Sequence, residues 1–196
     1  MKKLGKLFFV FTVLFYANSI IAQDKNNQWQ ISLGVNAVDF VSEGQNVITT
    51  SRANADGWNN QLSGLSSLSL SRYGNDKFNY GIRGSFNAVT NMGSTSQESV
   101  DEMMTSLDVF TEYKLGKNFS FWNVHPYLEG GTGYTWFGTQ KSLTMNGGAG
   151  IKIPFSDKTS LKISSAYKHA FNDMQNLRPL FQHTIALAMN FGGKDT

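Results

Sequence analysis

The sequence predicts an all-β chain: an eight-stranded antiparallel up-and-down transmembrane β-barrel preceded by a signal peptide. Three observations carry this. Apolar and polar residues alternate with period two through nearly all of the chain after residue 22. The first 22 residues have the three-part anatomy of an export signal. Long and short connections alternate between the strands, as in barrels that cross a bilayer with brief turns on one side and longer loops on the other.

The export signal comes first. Lys2, Lys3 and Lys6 form a positive segment, Leu7 to Ala17 an apolar core, and Asn18 to Ala22 a region ending in a small residue before Gln23. The apolar stretch falls short of the ~20 residues a helix needs to span a bilayer. Residues 1–22 are therefore expected to be removed, leaving 23–196 as an outer-membrane β-barrel domain.

The strands follow in order. Trp29–Ala37 puts Trp29, Ile31, Leu33 and Val35 against Gln30, Ser32 and Asn36. Gly64–Tyr73 is the weakest, because Leu65 breaks its phase. Phe78–Val89 sets Phe78, Tyr80, Ile82 and Phe86 against Asn79, Arg83, Ser85 and Asn87, and Met104–Leu115 sets Leu107, Val109 and Tyr113 against Ser106, Asp108 and Glu112. Pro126–Trp136, Leu143–Phe155, Thr159–Lys168 and Leu180–Phe191 continue the pattern. Most of these runs approach the ~9–11 residues of a membrane-crossing strand. Between them, Phe40–Ser63, Thr90–Met103 and His169–Pro179 are long; Gly74–Lys77, Gly116–Asn118 and Ser156–Lys158 begin or form tight turns; Phe137–Ser142 is intermediate. The even strand count places both chain ends on the periplasmic side. Aromatics near strand ends, such as Trp29, Phe78, Trp136 and Phe191, are placed for interfacial girdles.

Composition narrows the function classes. A mean hydropathy of −0.28 excludes a bundle of membrane-spanning helices. With 13% aromatic and 16% charged residues the chain is not disordered. The absence of cysteine removes disulfides, thiolate metal sites and a cysteine nucleophile. The net charge of +3 belongs to the three lysines of the signal; residues 23–196 are formally neutral, so no nucleic-acid partner is implied.

The segments Trp29 to Phe40, Pro126-Tyr-Leu-Glu-Gly-Gly-Thr-Gly-Tyr134, and Phe181-Gln-His-Thr-Ile185 with Phe191 to Thr196 together resemble the N-terminal β-barrel domain of outer membrane protein A (OmpA)-like proteins. The resemblance covers essentially all of 23–196. Such proteins usually continue through an acidic linker into a peptidoglycan-binding domain. This sequence stops where that linker would start, so it is expected to be a fragment or a barrel-only member, and cell-wall anchoring is not carried over. The resemblance implies a Gram-negative outer membrane, lipid and lipopolysaccharide as surroundings, and assembly by machinery that reads the aromatic-ended last strand at Phe191. The chain is expected to be a monomer.

With polar faces inward, the lumen receives Arg83, Asp108, Glu112, Lys114, Glu129, Lys152, Lys162 and Lys168. Arg83, Asp108, Glu112, Glu129, Lys152 and Lys162 are the expected lumen charge network. Eight strands leave an interior that side chains can fill, and an unpaired charge there is costly, so opposite charges are expected to pair and close it. The same carboxylates could serve as an acid/base pair. His125, His169 and His183 could act as bases or ligands, but their spacing fits no metal motif. No Gly-x-Ser-x-Gly elbow or phosphate-binding loop is present. The run Gly147-Gly148-Ala149-Gly150 lies mid-strand, where glycine permits curvature or close packing. Asn118-Phe119-Ser120 matches a glycosylation sequon, which a Gram-negative setting discounts. The expected function is a structural, porin-like, non-enzymatic barrel with no cofactor and no metal. The alternatives are an outer-membrane lipid hydrolase or protease using rim residues such as His169 or Asp173, and a soluble exported ligand-binding barrel.

Overall fold

The computed structural model describes residues 27–41, 58–59, 64–91, 99–116, 123–171 and 178–192. Residues 1–22, expected from sequence to be an export signal, most of the first long connection, Asp173 and the sequon Asn118-Phe119-Ser120 lie outside the described residues. Eight strands form one closed antiparallel barrel in chain order: β1 (Trp29–Phe40), β2 (Ser67–Tyr73), β3 (Phe78–Asn91), β4 (Ser99–Lys114), β5 (His125–Phe137), β6 (Gln140–Pro154), β7 (Thr159–Ala170) and β8 (Leu180–Phe191). Closure comes from β1 against β8, which pair in unbroken register from Trp29↔Phe191 to Phe40↔Leu180.

Alternation in the sequence becomes alternation in the wall, because successive side chains of a strand point to opposite faces. Outward positions are apolar and open: Ile82 is 50% exposed, Val109 57% and Leu128 46%. Leu33 and Leu187 point out with them, half-buried. Inward positions are polar and buried, including Gln30, Ser85, Asp108 and Asn190, with Arg83 and Glu129 each 7% exposed. This is the reverse of a soluble barrel, whose apolar face turns in. Rings mark both ends of the wall. At the end where β1 begins and β8 ends, here called the lower end, Phe78 packs on Tyr113 with centroids 5.1 Å apart, and the Arg72 guanidinium lies over Trp29. At the other end, here called the upper end, Tyr134 meets Trp136 edge-on at 4.8 Å.

Local chemistry makes the lower turns. In Gly74–Lys77, Asn75 Oδ1 accepts from the amides of Lys77 and Phe78 (2.8 and 2.9 Å), an Asx turn. In 155–158, Ser156 Oγ accepts from the amides of Lys158 and Thr159. The strict long–short alternation of connections does not hold. The β4–β5 connection on the lower side covers 115–124, so the tight turn expected after Gly116 is longer than anticipated. On the upper side, β5 and β6 are joined through Gly138 and Thr139 alone, tighter than the intermediate loop expected there. Gly138 has φ +54, the left-handed conformation that such a turn requires.

The weak second strand is short for a physical reason. Leu65 is out of phase and 56% exposed, and β2 begins only at Ser67. Above that point β1 and β3 lack a partner between them. Asn59 supplies it: its backbone exchanges hydrogen bonds with Val38 (2.8 and 3.1 Å), and its Oδ1 accepts from the Thr90 amide at 2.8 Å. Ser66 fills the interval, with its Oγ accepting from the Asn36 amide and its backbone joined to Gly34 and Phe86.

The β1–β8 closure tolerates no side chain at Gly34, where a Cβ would overlap the Ile185 carbonyl oxygen and lie 2.6 Å from the Ala186 Cβ. Gly34→Val should therefore destabilise the barrel by about 1–3 kcal/mol. Gly84→Ala, where a Cβ meets nothing within 4 Å, should be neutral. Urea unfolding in detergent, followed by the mobility of unheated samples on gels, distinguishes the two.

Candidate functional site

The lumen holds the concentrated polar chemistry of the fold, and three ion pairs organise it. Arg83 on β3 reaches past β4 to Glu129 on β5 in a two-pronged bridge, with both N–O distances 2.9 Å. Its guanidinium lies 4.7 Å above the ring of Phe110, an inward aromatic on the intervening strand. Phe110 has room because its two register neighbours, Gly81 and Gly131, carry no side chain; a Cβ on Gly81 would meet the ring at 2.7 Å. The second pair spans the interior: Lys168 on β7 donates to Asp108 on β4 at 2.7 Å and to Ser106 Oγ at 2.8 Å. Asn146 donates to the other Asp108 oxygen at 2.8 Å, and Ser106 is joined to Ser85. Third, Lys162 on β7 pairs with Glu112 on β4, and its ammonium lies over Tyr127.

Height along the strands orders these groups into layers. Below the ion pairs, Gln30 donates to Asn190 across the closure. Above them stand the amides of Asn36, Asn87 and Gln182, all buried and without protein partners for their side-chain nitrogens and oxygens. At the upper end the inward positions turn apolar. Val38, Phe40, Val89, Met104, Phe137 and Leu180 form one buried cluster with Ala170 against it, and the rings of Phe40 and Phe137 lie 5.9 Å apart. The lumen thus carries paired charge at mid-height and a hydrocarbon cluster above it.

Of the residues singled out from sequence, Arg83, Asp108, Glu112, Glu129 and Lys162 all enter these ion pairs. Arg83 and Asp108 are register neighbours, yet each pairs elsewhere. Lys152 is different: it faces the lumen directly opposite Lys162 in register, and no ion pair joins it among the described residues. Glu112 accepts Lys162 in preference, so Lys152 is not part of the paired set. Lys168, which the sequence placed in the lumen without assigning it to the network, is the partner of Asp108. The upper apolar cluster was not anticipated at all. Its signal was present, because Val38 and Phe40 keep the inward phase of β1 beyond Ala37, where the strand was expected to end.

The histidines do not converge. His125 begins β5, His169 points outward beside Tyr167, and His183 points outward beneath Trp58. Among the described residues no three metal-ligating side chains form a cluster. Glu112 and Glu129 are direct register partners with both side chains inward, but each carboxylate is held by its own cation.

Removing one member of a buried pair strands the other. Asp108→Ala should lower unfolding free energy by about 3–5 kcal/mol, and Asp108→Leu combined with Lys168→Met should recover most of it. Because the pair is only 2–3% exposed, the loss should change little between low and high salt in urea titrations.

No family model and no curated protein matches the sequence. Solved structures do resemble the fold. Neisserial surface protein A superposes with a TM-score of 0.58 at 11% identity, over 83% of this chain and 97% of its own. The outer membrane protein OprG from Pseudomonas aeruginosa gives 0.53 at 12% identity, over 87% and 99%. The N-terminal β-barrel domain of Pseudomonas aeruginosa OprF gives 0.51 at 16%, over 85% and 98%. At these identities the likeness is one of architecture. The chain has the closed eight-stranded antiparallel fold of outer-membrane barrels, the OprF N-terminal domain among them.

Proposed function

We propose that this chain is a structural, non-enzymatic barrel of a Gram-negative outer membrane, with a lumen closed to bulk solutes. One observation carries the reading: an exposed apolar outer wall surrounds a buried interior of paired charges and amides. Only a solvent of hydrocarbon favours that order, and within it a closed barrel leaves no strand edge unpaired. The ion pairs and the hydrocarbon cluster in series support a closed lumen. Each carboxylate of the ion pairs is engaged by a cation, which leaves none poised as a base. The upper end then faces outward, carrying the long β1–β2 connection. The lower end, where Trp29 of β1 pairs with Phe191 of β8, faces the periplasm. Surrounding lipid and lipopolysaccharide, a folding machinery that reads the last strand to Phe191, and a single copy as the working unit complete the proposal.

The purified protein should require detergent for extraction, should migrate differently with and without heating, and should give no stable large conductance in planar bilayers. Phe137→Ala alone should remain silent, because the ion pairs still block mid-lumen. A large stable conductance from the unaltered barrel contradicts the closed lumen. Lipid or peptide hydrolysis that disappears with His169→Ala contradicts the non-enzymatic reading.

A further inference from the structure

The outer wall is not uniform. Read along the hydrogen-bonding direction through β1, β8, β7, β6 and β5, one outward row runs Ala37, His183, Ser165, Ala149, Leu128. Three of its members are small. The next row toward the lower end is bulky and aliphatic, with Val35, Ile185, Ile163 and Ile151 in the same register. On the upper side stand Phe181 and Tyr167, with centroids 5.4 Å apart. Small residues beside a bulky row make a trench, an open groove of about 770 Å³ over the small and aliphatic rows that Pro126 and Leu115 also line. Its upper end is covered from outside the sheet: Trp58 stacks on His183 with ring centroids 4.4 Å apart and planes 18° from parallel.

We propose that this trench binds one acyl chain of an outer-leaflet lipid, with the lipid's polar head at the Trp58–His183 end. The inference rests on the membrane-barrel reading above and adds a specific site to it. Among the described residues no Asp, Glu, Lys or Arg lines the trench. The strands that form it spend their backbone groups on the ladders between them, so a peptide lying there would find few partners for its own amides in hydrocarbon. An acyl chain has no such requirement. Four interstrand steps make the trench about 19 Å long, more than one leaflet of a hydrocarbon core of ~30 Å, and its oblique course allows a chain to lie along it while its head stays at the upper rim. Trp58 and His183 supply the amphipathic end that a headgroup junction needs, each ring having an apolar body and a polar nitrogen.

The test uses the folded barrel in detergent, titrated with dipalmitoyl phosphatidylethanolamine and examined by native mass spectrometry. The unaltered barrel should retain one lipid. Ala149→Leu and Ser165→Leu, each filling the trench from an outward position, should cut retention at least fivefold. Gly84→Leu, outward on the opposite wall, should retain lipid as the unaltered barrel does. Each variant serves independently, and gel mobility without heating reports that it has folded. Equal retention by all four proteins, or none by the unaltered barrel, overturns the site. So does a dimer that Ala149→Leu dissociates, since a second copy would then occupy the trench. Failure of the underlying reading has a different signature: a protein that stays in solution without detergent and does not enter vesicles.

Discussion

A backbone amide that faces hydrocarbon has no water to fall back on, so every rung of this sheet must be closed by the chain itself. That requirement governs the rest of the structure. It explains why β1 and β8 stay in register for their full length, and why Gly34, whose Cβ would overlap the Ile185 carbonyl oxygen, carries no side chain. It also explains the repair above β2. A strand of seven residues cannot reach the upper rim, and the chain does not leave β1 and β3 exposed; Asn59 and Ser66 bring backbone and side-chain groups to the gap.

Closing eight strands produces an interior of fixed, small bore, and the lumen reads as a solution to filling it. Large inward side chains are set beside inward glycines: Phe110 between Gly81 and Gly131, Asp108 beside Gly133, Tyr127 over Gly150. The ion pairs join strands that are not hydrogen-bonded neighbours. Lys168–Asp108 and Lys162–Glu112 both tie β7 to β4, and Arg83–Glu129 ties β3 to β5. They brace the cross-section in directions the backbone ladders do not, and satisfying each charge limits the cost of burying it.

Much of this architecture is legible in the residues. Period two from Trp29 to Phe191 is a direct image of a two-faced wall, and β8 runs over Leu180–Phe191 as its pattern implies. Other features are not legible because they depend on register. Arg83 and Asp108 are opposite charges on paired strands, and only the positions of β5 and β7 decide that each binds another partner. Lys152 and Lys162 look equivalent along their strands, yet one Glu112 can engage only one of them closely. Connection lengths misled for a similar reason. The strands extend beyond their clear alternation, as β5 and β6 do to within two residues of each other, so apparent loops shrink. The apolar inward cluster escaped notice because its members come from five strands and meet only at the upper rim.

The two-residue link at Gly138–Thr139 has a kinetic side. The entropic cost of bringing two chain segments together rises with the logarithm of the loop between them. For β5 and β6 that loop is as short as a hairpin allows, and the pairing runs from Phe137↔Gln140 down to His125↔Lys152. For β1 and β8 the loop is nearly the whole described chain. Among the neighbouring pairs this hairpin closes at the least entropic expense, and the first and last strands meet at the greatest.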